Sequence, residues 1–428
     1  MKIAIVGAGF TGLSAAYELS KTGHEVFVFE KDSFPGGLAV GYKEKNWKWS
    51  VEKHYHHWFT NDKYVLGKAE EINYNVVTAR PKTSSFYQGK VYQLDSPINV
   101  LKFNPLPLSS RIRMGLSLAY LKYNPFWRPL EKYRAYNFLL KTMGVLPYKQ
   151  IWEPLLINKF GKYYKDVPLS WFWARIKKRT PSLAYPEGGF LNFAQDLVRK
   201  AEENGVEFYF NAETVEIKEE GEKIILKIKT KKGENLLEFD KVIVTLSSYL
   251  FTKITLGLPQ SYKGKLLTLK GLGAINLVLR LSEPFLRDGT YWLNICDTKF
   301  PFMAIVEHTN FMDKKYYNNE HIVYIGKYLP QDHSYMKKSA EELIKIYDPF
   351  LIRINKNYKL SIIDYKLFKA PFAQPIIPLN YSRFIPSFKT PLKNVYLANI
   401  EQVYPWDRGT NYAVELGQKI AKITLEKN

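Results

Sequence analysis

The chain has 428 residues, 46% of them hydrophobic and 24% charged, and its formal net charge is +21. This length allows two or three domains with an ample core. The single cysteine, Cys296, excludes an internal disulfide framework and a thiolate-cluster metal site. The first predicted strand starts at residue 2 and no apolar run reaches transmembrane length. We therefore expect a cytoplasmic protein, either free or peripheral to the inner face of the membrane, and no metal.

The positive charge is concentrated between Lys82 and Arg179, where there are 18 Lys and Arg residues but only four acids. This stretch also contains four tryptophans and many tyrosines. Basic residues mixed with aromatic ones suit an anionic membrane surface, a phosphorylated substrate or a nucleic acid. No zinc-finger, RRM or helix-turn-helix pattern accompanies the charge, so we expect no nucleic-acid partner. Solvated basic helix faces are the alternative interpretation.

The N-terminus has the pattern of a dinucleotide-binding unit. Residues 2–6 form an apolar run typical of a strand that is buried on both faces of a parallel sheet. Gly7, Gly9 and Gly12 follow with the spacing that permits a tight turn, a close approach to a pyrophosphate and close packing of the next helix. That helix is predicted to end near Ser20. A tight turn without a ligand is the alternative.

A second strand is predicted over residues 24–29, and Glu30 closes it. Glu30 follows Gly12 at about the distance expected for an acid that accepts hydrogen bonds from a ribose. The doublet Gly36-Gly37 comes shortly afterwards. Such a doublet lets the chain pass close to the pyrophosphate of FAD, and a plain NAD domain does not need it. The pattern therefore favours FAD over NAD, with an ordinary turn as the alternative.

Three of the seven histidines lie within four residues: His54, His56 and His57. No cysteine or acid cluster accompanies them, so a metal site is not indicated. In an extended chain, His54 and His56 share one face and His57 lies on the other. Beside a flavin, His54 and His56 are candidates for positioning substrate or moving protons, because imidazole titrates near neutrality. Structural histidines are the alternative.

The remaining pattern predicts an α/β protein, α+β overall, in which a Rossmann-type FAD-binding domain is discontinuous. It would consist of residues 1–80, 186–250 and 390–428. Residues 81–185 are predicted as a basic, aromatic-rich helical insertion. Residues 251–389 are predicted as a substrate-binding domain with a mixed or antiparallel sheet, including strands over 266–281, 290–295, 302–308 and 321–328 and a helix near 339–347.

The C-terminal segment combines a strand over 394–399 with a turn and a helix that opens at Gly409-Thr410-Asn411. A glycine-initiated helix start offers free N–H groups and a positive dipole end, which suit a flavin carbonyl. An ordinary terminal helix packed on the sheet is the alternative.

Together these residues resemble the superfamily of FAD-dependent amine oxidases, protoporphyrinogen oxidases and phytoene desaturases. Ala398-Asn399-Ile400-Glu401 is similar to the Ala-Gly-Thr-Glu of many members, and 407–413 lies at their flavin-facing helix start. Phrases such as 171–175, 306–310 and 404–408 resemble a bacterial and archaeal protoporphyrinogen-oxidase-like subgroup. The resemblance implies FAD and assigns it these residues: Gly7, Gly9, Phe10, Thr11, Gly12, Glu30, Lys31, Gly36, Gly37, Leu38, Val215, Asn399, Glu401, Arg408, Gly409, Thr410 and Asn411.

The resemblance implies an FAD-dependent oxidoreductase that transfers hydride from a small organic substrate to flavin N5. Leu38 replaces an arginine usual in amine oxidases, and no clear aromatic cage is present, which argues against simple amine oxidation. The histidine segment is also similar to that of UDP-galactopyranose mutases, so a non-redox flavoenzyme acting on a nucleotide sugar is an alternative. A membrane-docking flavoprotein without catalysis is a third hypothesis.

Overall fold

The structure is a computed structural model that describes residues 1–426. Its strands, in chain order, are β1 (Lys2–Val6), β2 (Glu25–Phe29), β3 (Gly41–Tyr42), β4 (Val51–Glu52), β5 (Trp58–Phe59), β6 (Val76–Ala79), β7 (Lys82–Tyr87), β8 (Lys90–Gln93), β9 (Leu183–Pro186), β10 (Glu207–Tyr209), β11 (Glu213–Glu220), β12 (Lys223–Thr230), β13 (Gly233–Phe239), β14 (Lys241–Val244), β15 (Lys270–Leu281), β16 (Thr290–Ile295), β17 (Ala304–Glu307), β18 (His321–Leu329), β19 (Ile362–Ile376) and β20 (Val395–Leu397).

The helices are α1 (Phe10–Ser20), α2 (Lys63–Glu71), α3 (Pro97–Leu101), α4 (Leu108–Tyr123), α5 (Ala135–Met143), α6 (Val145–Pro147), α7 (Glu153–Phe160), α8 (Leu169–Lys178), α9 (Phe190–Glu202), α10 (Ser248–Ile254), α11 (Gln260–Leu267), α12 (Ala340–Leu351) and α13 (Thr410–Leu425).

A five-stranded parallel sheet in the order β10-β2-β1-β14-β20 joins the two ends of the chain. Its central strands β1 and β14 are almost fully buried. One face packs on helices and the other on the sheet of β11, β12 and β13, which accounts for their continuous apolar sequences. Helices α1, α9 and α13 pack together beside the sheet. The predicted Rossmann-type fold class is confirmed by this sheet and by its mixture with other helices and sheets.

A seven-stranded sheet in the order β19-β15-β18-β17-β16-β7-β8 forms the second large layer. Alternate residues of β15 divide between its faces. Ile275, Leu277 and Leu279 pack with Leu343 and the rest of α12 in one hydrophobic cluster, whereas Asn276 lies on the opposite face. The sheet is antiparallel except for the parallel pair β7 and β16.

The strands predicted for this sheet are present, and β16 has the predicted bounds. The helix predicted near 339–347 begins after a capping box formed by Ser339 and Glu342, and it continues to Leu351. Strand β19 was not predicted. It lies at the edge of the sheet, is interrupted by prolines and is partly exposed, so it lacks the apolar run that marks a buried strand.

Helices α3 to α8 form a separate helical layer with its own core, in which Met114, Leu139 and Trp171 are buried. The predicted insertion over 81–185 differs from this layer at its start, because β7 and β8 belong to the seven-stranded sheet. Sequence reasoning placed the boundary at the change in charge, which does not coincide with the change in architecture. The division of the chain into domains stays a prediction.

The contact between α1 and α13 depends on Gly417. A Cβ atom at this position would lie 2.4 Å from the Thr11 carbonyl oxygen and 2.5 Å from Ser14 Cβ, far inside van der Waals contact. We expect Gly417→Ala to lower the free energy of unfolding by about 1–3 kcal/mol, because backbone has to move. Urea unfolding monitored by circular dichroism measures the change.

Gly67→Ala in α2 is the matched control, since a Cβ there meets nothing within 4 Å. It is expected to be neutral or to stabilise the protein by about 0.5–1 kcal/mol, the usual gain of alanine over glycine in a helix. Equal effects of the two substitutions would contradict the importance of the α1–α13 contact.

Candidate active site

Two glycine loops meet at the carboxyl end of β1. The Gly36 N–H donates to the Ala8 carbonyl at 2.9 Å, and a Cβ on Gly37 would lie 3.0 Å from Gly9 Cα. Gly9 is the N-cap residue of α1 and provides no side-chain cap. The first N–H groups of α1 therefore lie beside bare backbone, which is the arrangement that binds a pyrophosphate.

Glu30 follows β2 at the same end of the sheet. Its Oε2 accepts the Ala8 N–H at 2.8 Å and its Oε1 accepts the Asp32 N–H at 2.9 Å. Burial raises the pKa of Glu30, and the two backbone hydrogen bonds oppose this effect. The carboxyl is thus fixed in place while lone pairs remain for hydroxyl groups. Together, the glycine loops and Glu30 fit the ADP half of FAD.

Asn399 and Glu401 connect the end of β20 to the start of α10. The Asn399 amide donates to the Leu246 carbonyl at 3.0 Å and to Ser248 Oγ at 3.1 Å. Glu401 accepts the Ser248 hydroxyl at 3.3 Å, and burial raises the pKa of its carboxyl. Both side chains therefore hold the connection between β14 and α10 against the segment that follows β20. Their predicted contact with FAD stays a prediction.

A buried group of charges surrounds Asp407. Its carboxylate lies 3.0 Å from Arg175 Nη1 and 3.3 Å from Lys159 Nζ, and it accepts the Trp171 Nε1–H at 3.2 Å. Burial alone would raise the pKa of Asp407, but the charges of Lys159, Arg175 and Arg408 hold it well below its usual range. Asp407 is therefore an anion that joins α7 and α8 to the C-terminal segment.

Arg408 follows Asp407 and is also enclosed. Its Nε donates to Gln374 Oε1 at 3.1 Å, and an Nη group donates to the Tyr328 hydroxyl. Burial opposes its charge, yet Tyr328 and Asp407 raise the pKa of Arg408 overall. A permanent cation is thus held between β18, β19 and the segment before α13.

The three clustered histidines are neutral. Burial lowers the pKa of His54 to about 3, of His56 to about 4 and of His57 to about 3. The Asn276 amide nitrogen lies 2.6 Å from His54 Nδ1, so Nδ1 accepts and the proton is assigned to Nε2. His57 Nδ1 lies 3.0 Å from the Tyr291 hydroxyl.

His54 and His56 line a small cavity together with Leu38, Asn276 and Arg408. His56 and His57 line a larger cavity of about 380 Å³ that extends to the start of α13. The larger cavity has six cationic and three acidic side chains in its wall: Lys122, Lys159, Arg175, Lys178, Arg179, Arg408, Asp62, Asp95 and Asp407. Of the predicted catalytic histidines, His54 thus borders only the small cavity and His56 borders both.

The predicted flavin-facing residues Gly409, Thr410 and Asn411 line the larger cavity. Thr410 Oγ1 accepts the Trp58 Nε1–H at 2.7 Å. Asn411 Oδ1 accepts the backbone N–H of Tyr64 at 2.9 Å and thereby caps α2, while its Nδ2 is buried without a hydrogen-bond partner among the described residues. An unpaired buried amide N–H₂ in a cavity wall is suited to a ligand carbonyl.

The other predicted cofactor residues are spread along the chain. Phe10 and Thr11 are buried at the start of α1, and Phe10 stacks on Phe193 with centroids 5.7 Å apart. Lys31 is exposed after Glu30. Val215 lies at the irregularity of β11 in a separate three-stranded antiparallel sheet. Their contact with FAD stays a prediction.

Sequence reasoning did not select Asn276, Lys159, Arg175, Asp407 or Glu52. Arg175 and Asp407 lie in phrases that carry the family resemblance but were given no role, and Asn276 and Lys159 have no local motif. The one available signal was the presence of charged residues inside aromatic runs that otherwise read as core, such as 171–175. Among residues 1–426, no group of three His, Cys, Asp or Glu side chains is placed to hold a metal ion.

Comparisons with known proteins agree with this geometry. The model of the family described as flavin containing amine oxidoreductase matches residues 10–401. The chain belongs to this family, which confirms the resemblance and FAD as the cofactor.

Several curated relatives match a short stretch of the chain. A flavin-containing monooxygenase of Amanita muscaria is 45% identical over 51 residues, which are 12% of this chain and 8% of that protein. The chain thus spans about a tenth of the length of the curated relatives it matches.

Solved structures match over nearly the whole chain. The cyclohexylamine oxidase of Brevibacterium oxydans has a TM-score of 0.73 at 14% identity, over 99% of this chain and 98% of that one. A reduced UDP-galactopyranose mutase has a TM-score of 0.76 at 15% identity, over 99% of this chain and 96% of that one. At such identities the likeness establishes the fold alone.

The buried carboxyl of Glu52 makes the free energy of unfolding depend on pH. Its Oε1 accepts the Tyr185 hydroxyl at 2.8 Å and the Phe190 N–H at 3.1 Å, while Oε2 has no partner among the described residues. Burial raises the pKa of Glu52 to about 8. Between about pH 4.5 and 8 the folded protein keeps this proton, whereas the unfolded chain has lost it. The contribution of Glu52 to the free energy of unfolding is therefore fully present below about pH 4.5 and is lost as the pH rises through 8.

We therefore expect Glu52→Gln to gain stability relative to the unsubstituted protein by up to about 1.4 kcal/mol per pH unit between pH 5 and 8, and to gain no more above pH 8. Urea unfolding at pH 5.5, 6.5, 7.5 and 9 measures this difference. A difference that is constant across the four pH values would show that Glu52 is ionised in the folded protein.

Proposed function

We propose that the protein is an FAD-dependent oxidoreductase that oxidises a small organic molecule in the 380 Å³ cavity. One observation carries the proposal: the wall of this cavity includes Gly409, Thr410 and Asn411. These residues follow β20, the last strand of the parallel sheet along the chain, whereas the first glycine loop follows β1, its first strand. A ligand with an ADP end and a reactive ring requires both features in one fold. Residues 407–412 and the histidine segment would then border the reacting part.

FAD supplies the redox chemistry when bound. The chain's residues supply orientation and electrostatics. The neutral His54 presents an Nε2–H donor to the small cavity, since Asn276 occupies its Nδ1. Arg408 supplies a fixed positive charge to both cavities, which favours negative charge that develops nearby. Neither His54 nor His56 is expected to gain a proton near neutral pH, because burial keeps both pKa values low.

A second candidate is a non-redox flavoenzyme that acts on a nucleotide sugar. The histidine segment and the cationic cavity favour it, because a nucleotide sugar carries a diphosphate. The two candidates differ in whether turnover changes the redox state of FAD.

The test is anaerobic spectroscopy of the purified, FAD-loaded protein. An oxidoreductase is expected to lose its flavin absorbance near 450 nm when its substrate is added from a panel of amines, amino acids, porphyrinogens and polyenes, on the order of one flavin per substrate oxidised. Dithionite reduction is the control for a competent flavin. The mutase candidate instead predicts conversion of UDP-galactopyranose only after dithionite reduction, with no further absorbance change. A protein that binds no FAD contradicts both candidates.

We also propose that the outer surface of the helical layer contacts an anionic membrane. Five large apolar residues repeat along one face of α4 and are 46–79% exposed: Leu108, Ile112, Leu116, Tyr120 and Tyr123. Phe126 continues this surface with 69% exposure. We call these six residues the apolar stripe. A stripe of this size is unusual on a water-facing helix and typical of interfacial ones.

The charges around the apolar stripe fit lipid head groups. Exposed basic side chains accompany it within residues 97–150: Lys102, Arg113, Arg128, Lys132, Arg134, Lys141 and Lys149. The one acid of this stretch that precedes α7, Glu131, is only half exposed and is engaged by Ser382 and Tyr404. Basic residues around an apolar helix face attract an anionic leaflet. No helix among residues 1–426 combines the length and apolarity needed to cross a bilayer.

We expect the protein to sediment with phosphatidylcholine–phosphatidylglycerol vesicles and not with phosphatidylcholine alone. Replacing Leu108, Leu116 and Phe126 by serine is expected to lower the partition coefficient at least about tenfold, because three inserted side chains are lost. The matched control replaces Leu236 and Leu360, which are also exposed but lie elsewhere. Binding that ignores lipid charge, or that persists in the triple variant, contradicts the proposal.

A further inference from the structure

Arg179 is a cation of the large cavity whose charged group has no polar partner among residues 1–426. It follows α8 directly and lines the cavity wall. Its guanidinium forms no ion pair or hydrogen bond with another side chain of the described residues, although its surface is accessible. Burial among protein atoms and the nearby charge of Arg175 lower the pKa of Arg179 to about 10, and the charge of Asp407 opposes them. A planar cation with five donors is thus left open to the cavity.

The acids of the cavity do not neutralise Arg179, because each is engaged elsewhere. Asp62 accepts the Phe59 N–H at 2.9 Å. Asp95 accepts the amide nitrogens of Gln93 and Asn99, each at 2.8 Å. Asp407 is paired with Lys159 and Arg175, as described above.

The other cations of the wall are engaged. Lys122 Nζ donates to the carbonyls of Lys177 at 3.0 Å and Arg179 at 2.6 Å. Lys178 Nζ donates to the Asn61 carbonyl at 3.4 Å. The Arg179 carbonyl is thus fixed by α4, while its guanidinium is free. The segment is positioned by contacts of its backbone carbonyls.

We propose that Arg179 binds an anionic group of the substrate, a carboxylate or a phosphate, inside the large cavity. This inference rests on the proposed function, since it names the substrate class of the same cavity. Guanidinium pairs with both anions through two parallel N–H···O bonds. A cavity with an excess of cations favours such a pair and disfavours a cationic amine. The specificity of this chain would therefore differ from that of an oxidase of simple amines.

The test measures binding of three probes to the FAD-loaded protein by isothermal calorimetry: benzoate, inorganic phosphate and benzylamine. The variants are Arg179→Gln, which removes the charge, and Arg179→Lys, which keeps it. Arg128→Gln is the matched control, because Arg128 is an exposed arginine of the same helical layer that does not line the cavity. We expect at least one anion to bind the unsubstituted protein more tightly than benzylamine.

Arg179→Gln is expected to weaken anion binding about tenfold or more, the usual loss for a charged hydrogen-bonded pair. Arg179→Lys is expected to bind the anions with an affinity between those of Arg179→Gln and the unsubstituted protein, because it keeps the charge but loses the paired N–H donors. Arg128→Gln is expected to keep all of the affinity. A preference for benzoate indicates a carboxylate substrate, and a preference for phosphate indicates a phosphate ester.

The proposal is overturned if Arg179→Gln binds the anions as well as the unsubstituted protein, if neither anion binds at about 10 mM, or if benzylamine binds most tightly. Flavin absorbance and circular dichroism of each variant are recorded in parallel. Loss of FAD in the unsubstituted protein would refute the proposed function, whereas intact flavin with unchanged anion affinity would refute only the role of Arg179.

Discussion

The buried anion at Asp407 is the interaction on which the geometry of the site depends. It draws Lys159 from α7, Arg175 from α8 and the segment before α13 to one point. Removing one member of such a group leaves an unpaired charge away from water, which costs far more than the pair contributes. The helical layer is therefore held against the C-terminal segment, and the large cavity is the space that remains between them. Arg408, the next residue, carries its charge into both cavities.

The ADP end was predictable because its determinants are local. A strand, three glycines and an acid within thirty residues are the local pattern of a dinucleotide-binding unit. The glycine doublet follows shortly afterwards, so its position beside the first loop was also predictable. The contact with Gly9 shows why the doublet needs a residue without a side chain, since a Cβ on Gly37 would lie 3.0 Å from Gly9 Cα. The family comparison agrees with this prediction of a flavin cofactor. By contrast, the exact protein contacts of FAD along residues 399–411 stay predictions.

The reactive end was not predictable in the same way. Asn276 and His54 are 222 positions apart, and Asn411 caps a helix that lies almost the whole chain away. Such contacts depend on tertiary packing, which no local period encodes. Glu52 precedes the histidines and gave no sign of being enclosed, because a single carboxyl has no pattern. The predicted helical insertion and the helical layer start at different residues for a related reason: after residue 81 the chain first adds two strands to a sheet assembled from distant residues.

Helix α4 has two sides with different attachments. Its outer side carries the apolar stripe. In its last turn, Lys122 Nζ donates hydrogen bonds to the carbonyls of Lys177 and Arg179. One helix therefore carries the surface proposed to contact a membrane and also holds the backbone of the residue proposed to bind a substrate anion.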